Sequence, residues 1–210
     1  MNIEIMACTL DPITVISRAA GTCYGKANVN GKRVRHCFEA GHMSVFEHAS
    51  VTFRVEGISR ACSHQLVRHR LASYSQESQR YCKVDSLSDD WFVIPPEIAK
   101  RPERANAFKM AMRVFAYNYA DELEHGTKPE DARFLLPEAC KTTIVVSMNC
   151  RELFHFMDVR ATRQAQWEIR ELAEAMADSL RRVSGWCELI AMWSEGRDSQ
   201  VTDSAQAPRE

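Results

Sequence analysis

One short polar stretch restricts what this chain can fold into more than any other part of the sequence. Residues 68 to 81, with the sequence RHRLASYSQESQRY, combine cations, hydroxyls, amides and one carboxylate with almost no aliphatic side chain. Such a stretch does not build a hydrophobic core, so we expect it to line a surface or a cleft. The permanent or potential cations at its start, Arg68, His69 and Arg70, repel one another unless an anion lies among them. A phosphate group fits that requirement.

The composition is that of an ordinary globular protein. The chain has 210 residues, 45% hydrophobic and 26% charged, which is enough to bury the core of one domain. The formal net charge is -1, so a positive site must arise by local clustering, which argues against a bulk nucleic-acid binder. No apolar run approaches the roughly 18 residues of a membrane span, and the N-terminus lacks a basic leader. We therefore expect a cytoplasmic protein without a membrane partner.

The cysteines favour reduced thiols over disulfides. There are 8 of them, but the chain has no Cys-x-x-Cys pair, and most of them have apolar neighbours. A zinc site made from His36, Cys37 and His42, or from Cys62 and His64, is an alternative, although no second ligand pair has a familiar spacing. We predict no metal.

Hydrophobic periodicity predicts strands and helices in an irregular order. The strongest strand candidate, residues 49 to 56, alternates apolar and polar side chains. Asn149, with a glutamate three residues later, has the spacing of a capping box at the start of a helix. Other strands are predicted at residues 2–8, 91–94 and 142–148, and other helices at residues 12–22, 32–40, 58–67, 103–125, 129–133 and 165–183.

This order of elements predicts the fold class. Without a regular βαβ alternation, it indicates an α+β fold with a central antiparallel or mixed β-sheet flanked by helices in a single domain, residues 1–196. Residues 197–210 are polar and lack aromatic side chains, so we predict a disordered tail. None of the 8 glycines begins a Gly-x-Gly-x-x-Gly fingerprint. A bound nucleotide would therefore be held by arginine forks and hydroxyls.

A known family shares this pattern of residues. Arg68-His69-Arg70, then seven residues, then Ser78-x-Arg80-Tyr81 resembles the signature of the flavin-dependent thymidylate synthases. Further blocks occur in the family's order, so the resemblance covers most of the chain and leaves out only its C-terminal part. These blocks are GH at 41–42, FEH at 46–48, RFLLP at 133–137, NCR at 149–151, Arg160 and AQWEI at 165–169.

The resemblance implies an enzyme that methylates dUMP to dTMP reductively. It implies FAD as the cofactor, 5,10-methylenetetrahydrofolate as the carbon donor and NADPH as the reductant, with hydride delivered from the reduced flavin. It also implies a homotetramer whose sites are each built from several subunits, with small-molecule substrates and no nucleic-acid partner. NADPH and NADH are not distinguished by the sequence.

The resemblance also assigns roles to residues by position. The FAD contacts that it implies are Ser44, Arg68, His69, Arg70, Gln76, Asn149, Arg151 and His155. The dUMP contacts that it implies are Gln65, Arg68, Gln76, Glu77, Ser78, Gln79, Arg80, Arg133 and Arg160. His42 and His48 fall on the folate and flavin side.

Arg160 is the candidate catalytic residue. When uracil C6 accepts a hydride, negative charge develops on the ring, and a guanidinium near N3 and O2 would stabilise that charge. Ser78 resembles a nucleophile, but no His or Lys is spaced to deprotonate it, so we assign it to phosphate binding.

Three positions depart from the family's pattern. Ser75-Gln76 stands where Asn-Glu is common, Gln164 where a histidine often precedes AQWEI, and His155 where asparagine is common. The first departure replaces a carboxylate by an amide beside both ligands. Flavin affinity is the property that we expect it to change.

Two other functions fit parts of the sequence. One is another flavin-dependent modification of a pyrimidine nucleotide at C5, such as hydroxymethylation, which the mass of the product would distinguish. The other is a module that binds single-stranded nucleic acid through Arg68 to Arg70, Arg80, Tyr74 and Tyr81. Its affinity would fall steeply with salt, and it would hold no flavin.

Overall fold

The structure, a computed structural model, describes residues 1–26, 28–84 and 88–206, with side chains described up to residue 196. Its strands are β1 (Asn2–Cys8), β2 (Ser50–Ser59), β3 (Ala72–Gln76) and β4 (Lys141–Asn149). Its α-helices are α1 (Pro12–Thr22), α2 (Gly31–Glu39), α3 (Arg60–Leu66), α4 (Pro96–Ala99), α5 (Pro102–Glu124), α6 (Pro129–Ala132), α7 (Cys150–Arg160), α8 (Trp167–Leu180) and α9 (Trp186–Gln206). Residues Met43–His48 and Arg133–Leu135 form 3-10 helices.

The four strands form one antiparallel sheet in the order β1-β2-β4-β3, which confirms the α+β fold class. Alternate side chains of β2 and β4 are buried, as period-two strands with one core-facing side require. On the other side, the hydroxyls of Thr52 and Ser147 are hydrogen bonded at 2.8 Å. β4 is therefore buried on one face and half-buried on the other.

The backbone divides into two compact units. Unit 1 comprises Met1–Asn2, Val55–Arg68 and Tyr74–Val145, and unit 2 comprises Ile3–Arg54, His69–Ser73 and the chain from Val146 onwards. All four strands therefore contribute residues to both units. The assignment of residues 1–196 to one domain remains a prediction.

The core of unit 1 forms around helix α5. Trp91, Phe92, Met112, Ala116 and Cys140 are buried together there. Residues 91–94 do not form the predicted strand, because their ladder is limited to one antiparallel bridge between Phe92 and Cys140. Two prolines follow at 95 and 96, and proline has no amide hydrogen to continue a ladder.

The core of unit 2 includes a cluster of three phenylalanines. The rings of Phe38, Phe46 and Phe154 lie 5.5 to 6.0 Å apart, at the tilted and edge-on angles that aromatic pairs favour. Phe46 is fully buried and anchors the 3-10 helix Met43–His48 to this core. The polar residues of that short helix are therefore held at the surface.

Helix α9 is absent from the sequence prediction. It begins just after Gly185, where the preceding helical pattern ends, and the buried indole of Trp186 donates to the carbonyl of Thr9 at 2.9 Å. The predicted boundary at residue 196 falls inside this helix. Residues 207–210 of the predicted tail lie outside the described residues.

The polar stretch of residues 68–81 also differs from its prediction. Residues 72–76 form strand β3, which the sequence did not indicate because none of its half-buried residues, Ala72, Tyr74 and Gln76, is a large aliphatic one. Helix α3, before it, begins at Arg60 and not at residue 58, because β2 continues through Gly57. Gly57 has φ +75, a conformation that glycine adopts without strain.

All eight cysteines are free thiols in the structure, and Cys37, Cys62, Cys140 and Cys150 are buried. Within residues 1–26, 28–84 and 88–206, no group of three or more His, Cys, Asp or Glu is arranged to hold a metal ion. No helix in the described part of the chain is long and apolar enough to cross a membrane.

Candidate active site

The predicted ligand contacts divide between the two units. The FAD contacts lie in unit 2, with the exception of Arg68 and Gln76, and the dUMP contacts lie in unit 1, with the exception of Arg160. Arg68 and Gln76 are the two residues that the sequence assigns to both ligands. His42 and His48 belong to unit 2 and are exposed.

A partly buried cluster in unit 2 holds the candidate catalytic residue. Arg160 is the last residue of α7, and its Nε donates to Nε2 of His69 at 3.1 Å. Nδ1 of His69 lies 3.6 Å from a carboxylate oxygen of Glu152, which lies in the first turn of α7. His69 is 5% exposed and Glu152 is 4% exposed. We call these three residues the arginine cluster.

His69 is neutral in this environment. Burial, the guanidinium of Arg160 and the nearby His155 together lower the pKa of His69 from 6.5 to about 4. Its ring packs edge-on against Phe156 at 4.9 Å and lies 5.6 Å from the ring of His155. His69 is therefore almost completely buried within a stretch that was expected to line a surface or a cleft, and at pH 7 the stretch begins with two cations instead of three.

Glu152 is a second titratable group held away from water. Burial raises the pKa of its carboxyl, while His155 and Arg151 act in the opposite direction. The sequence identifies Glu152 only as a capping residue. Its backbone amide does donate to the side chain of Asn149 at 2.9 Å, which confirms the predicted helix cap, but its carboxylate faces His69.

A neutral cluster in unit 1 surrounds Gln76. The amide nitrogen of Gln76 donates to the hydroxyls of Ser63 at 2.9 Å and Thr142 at 3.2 Å. Ser63 and Thr142 are 0% and 2% exposed. The hydroxyl of Ser63 in turn donates to the carbonyl of Arg60 at 2.9 Å. We call Gln76, Ser63 and Thr142 the amide cluster.

The hydrogen positions in the amide cluster follow from counting protons. A serine hydroxyl has one hydrogen, and that of Ser63 is used on the Arg60 carbonyl, so Ser63 accepts from Gln76. Gln76 must therefore present its NH₂ group, and a carboxylate at this position would offer no hydrogen. The glutamine at position 76, where the family resemblance implies a glutamate, therefore matches the acceptor that Ser63 presents to it.

The segment after β3, which the sequence assigns to dUMP, is fixed at its start by an arginine that the sequence missed. Arg60 donates to the carbonyl of Glu77 at 2.7 Å, and the amide of Glu77 donates to the carbonyl of Thr143 at 2.9 Å. Burial lowers the pKa of Arg60, although a guanidinium stays charged at neutral pH. A turn follows, in which the amides of Tyr81 and Cys82 donate to the carbonyl of Ser78.

Two of the predicted dUMP arginines meet at one residue. Arg80 forms an ion pair with Glu130 at 3.2 Å, and Nε of Arg133 donates to the Glu130 carbonyl at 3.0 Å. Arg80 also lies over the ring of Tyr81, 5.6 Å from its centroid. Gln65, Ser78 and Gln79 are half-buried. Glu130 was not identified from the sequence, because only the fold brings it to Arg80.

The predicted FAD residues of unit 2 differ in their exposure and in their side-chain partners. Arg70 and Ser44 are exposed, the latter on the 3-10 helix Met43–His48. Arg151 pairs with Glu47 at 2.6 Å, and both side chains are about half exposed. The side-chain oxygen of Asn149 caps α7, as described above. His69 is the one predicted FAD contact in the described part of unit 2 that is almost completely buried.

A family profile described as "Thymidylate synthase complementing protein" matches residues 4–184. A flavin-dependent thymidylate synthase from Geobacter sulfurreducens is 43% identical over 198 residues, covering 88% of this chain and 83% of that protein. One from Thermococcus kodakarensis is 49% identical over 156 residues, covering 71% of this chain and 64% of that protein.

A solved structure agrees with these sequence matches. The crystal structure of a flavin-dependent thymidylate synthase from Helicobacter pylori, complexed with FAD and dUMP, has a TM-score of 0.71 and 28% identity. The match covers 86% of this chain and 94% of that chain. The fold of this chain is therefore similar to that of an α+β protein whose crystal structure holds FAD and dUMP. The chain belongs to the flavin-dependent thymidylate synthase family, which confirms the resemblance seen in its sequence.

Proposed function

We propose that this protein is an FAD-dependent thymidylate synthase that methylates dUMP to dTMP. The observation that carries the proposal is the family match over residues 4–184, which includes every residue that the sequence assigns to FAD, to dUMP or to catalysis. Family membership bears out the predicted activity and the predicted cofactor. In our proposal the carbon donor is 5,10-methylenetetrahydrofolate and the reductant is NADPH.

The predicted FAD residues fit a ligand with a diphosphate. Arg68 and Arg70 present exposed guanidinium groups, which bind phosphate oxygens in a bidentate manner. Arg151 would exchange its half-exposed partner Glu47 for the ligand at small cost, because such ion pairs are worth about 0 to 1 kcal/mol. When bound, FAD supplies the hydride that the pyrimidine ring receives, after reduction by the nicotinamide cofactor.

Arg160 stabilises the negative charge that develops on the pyrimidine ring. Its Nε is directed to His69, so its two Nη groups remain as donors toward the carbonyl oxygen O2 of the base. Preorganised donors of this kind lower the barrier because they need no reorientation during the reaction. Removal of one such donor typically lowers kcat by about 10² to 10³.

The nucleotide is bound by the segment after β3 together with Arg133. Ser78 contributes its hydroxyl, and Arg80 and Arg133 contribute positive charge to the phosphate. The hold of Arg60 on the Glu77 carbonyl keeps the start of this segment fixed before the nucleotide arrives. Such preorganisation lowers the entropic cost of binding.

The working assembly in this proposal is a homotetramer in the cytoplasm. Large apolar side chains exposed on α5, with Met110 at 57%, Val114 at 55% and Tyr117 at 69%, support association of subunits. Phe134, 84% exposed, lies next to Arg133. Sedimentation or light scattering of the purified protein tests the tetramer.

The test of the activity uses the purified protein and its three co-substrates. We expect a flavin absorbance spectrum and the formation of dTMP from dUMP, methylenetetrahydrofolate and NADPH, identified by mass. A protein that holds no flavin and forms no product would contradict the proposal. A product with the mass of a hydroxymethylated nucleotide would replace methylation by the alternative C5 modification. Rates with NADH and NADPH in parallel identify the preferred donor.

A further inference from the structure

The hydrogen bond between Arg160 and His69 has only one possible direction. A guanidinium has hydrogen-bond donors and no acceptor, so Nε2 of His69 accepts through a lone pair. A neutral imidazole whose Nε2 is unprotonated carries its hydrogen on Nδ1. That hydrogen is on the side of Glu152, whose carboxylate oxygen is 3.6 Å away, beyond hydrogen-bond length but close enough to favour this tautomer electrostatically.

This contact fixes the plane of the guanidinium. The Nε–H bond lies in that plane, so an acceptor held at 3.1 Å limits rotation about the end of the side chain. His69 is itself immobilised by burial and by the edge-on contact with Phe156. Arg160 ends helix α7, where an arginine without such a contact would sample several rotamers.

We propose that His69 is a positioning residue for Arg160, and that Glu152 maintains the His69 tautomer in which Nε2 accepts. This inference rests on the proposed function, in which Arg160 stabilises charge on the pyrimidine. It gives His69 a role other than the FAD contact implied by the resemblance. A ring that is 5% exposed, with Nε2 directed to Arg160, presents little surface to a cofactor.

The kinetic test compares two substitutions of His69. Gln places a carbonyl oxygen near the position of Nε2, so we expect His69→Gln to keep kcat within about tenfold of the wild-type value. Leu offers no acceptor, so His69→Leu should lower kcat by about 100-fold, the effect of a misplaced catalytic group. Both variants should keep the wild-type flavin content. His125→Gln, at the exposed C-terminal end of α5, is the matched control and should leave kcat unchanged.

Two results would overturn the inference. Equal kcat values for His69→Leu and the wild type would show that Arg160 needs no support. Loss of flavin from both His69 variants, in proportion to their activity, would show that His69 contacts the cofactor. A circular dichroism melt identifies a variant that does not fold.

A spectroscopic test separates this inference from the proposed activity. In ¹⁵N NMR spectra of the wild-type holoprotein at pH 7, we expect His69 to carry its proton on Nδ1 and to lack one on Nε2. Glu152→Ala should increase the population protonated at Nε2. A wild-type spectrum with Nε2 protonated refutes the positioning role even if dTMP is formed. Absence of dTMP formation by the wild type refutes the proposed function even if the tautomer is as expected.

Discussion

The arginine cluster of unit 2 and the amide cluster of unit 1 each join a partly buried side chain to two almost completely buried ones, but only the arginine cluster contains ionisable groups. His69 remains neutral beside Arg160 because its pKa is lowered to about 4, so the hydrogen bond from Arg160 is present at neutral pH and is lost when Nε2 becomes protonated at low pH. In the amide cluster, polarity is set by the single hydrogen of Ser63 and does not change with pH. The arginine cluster is therefore suited to interact with a charge that develops nearby, and the amide cluster is suited to hold the end of strand β3 in place.

The largest contrast concerns arginines of different burial. Arg160→Ala should reduce kcat by about 10² to 10³, or about 3 to 4 kcal/mol, while the protein keeps its flavin. Arg70→Ala, an exposed change, should instead lose flavin because it removes a phosphate contact. Arg113→Ala, which breaks an exposed ion pair with Asp89, is the control. Flavin absorbance and turnover are measured for each, and the opposite pattern would reverse the two role assignments.

A second comparison uses pH to detect the charge in the arginine cluster. Because the folded-state pKa of His69 lies below its unfolded value of 6.5, the unfolded chain binds more protons between those values. The contribution of His69 to the free energy of unfolding is therefore fully present above pH 6.5. It is lost as pH falls toward about 4, which lowers the free energy of unfolding by roughly 3 kcal/mol.

Denaturant unfolding of the wild type and of His69→Gln measures this loss. The free energy of unfolding of the wild type should fall more steeply than that of the variant between pH 6.5 and 4. The same pair of proteins should show equal slopes above pH 7. Parallel curves throughout would mean that His69 is not neutralised by folding.

The third comparison introduces charge into the amide cluster. Gln76→Glu removes both donated hydrogen bonds and directs a carboxylate at the acceptor lone pairs of Ser63. We expect a loss of about 2 kcal/mol in the free energy of unfolding at pH 7, the cost of an unsatisfied buried polar group. Ser75→Glu, at the exposed neighbouring position, controls for the added charge. A Gln76→Glu protein as stable as the wild type would contradict the hydrogen assignment.

The smallest effect concerns the helix caps that precede the two clusters. Ser59 accepts from the amide of Cys62 at the start of α3, and Asn149 accepts from that of Glu152 at the start of α7. Asn149→Ala and Ser59→Ala should each lower the free energy of unfolding by about 1 kcal/mol. Asn149→Asp keeps the acceptor and should retain most of that stability. A loss well above 1 kcal/mol would indicate a further contact of the cap residue.

The sequence predicted features that depend on local pattern. The bounds of β1 and α1, the cap at Asn149 and the α+β class are all as expected, because capping and periodicity act over a few residues. The family blocks identified Arg160, Gln76 and the other candidate residues by position. These features are determined by short segments of the sequence.

The features that the sequence did not predict depend on long-range contacts. His69 is polar in every local respect and becomes buried only because α7 brings Phe156 and Glu152 to it. Arg60 and Glu130 gained their roles in the same way, from partners that are distant along the chain or on another element. Strand β3 has no large aliphatic side chain, and its pairing with β4 determines its conformation.

The single hydroxyl hydrogen of Ser63 has an evolutionary consequence. Because it is used on the first turn of α3, positions 63 and 76 are not free to change independently. A carboxylate at position 76 becomes acceptable only with a residue at position 63 that supplies a hydrogen, so we expect homologues with glutamate there to differ at position 63 or in the rotamer of its hydroxyl. In a double-mutant cycle, Ser63→Ala and Gln76→Glu should show a coupling energy of about 1 kcal/mol. We therefore expect positions 63 and 76 to change together in evolution.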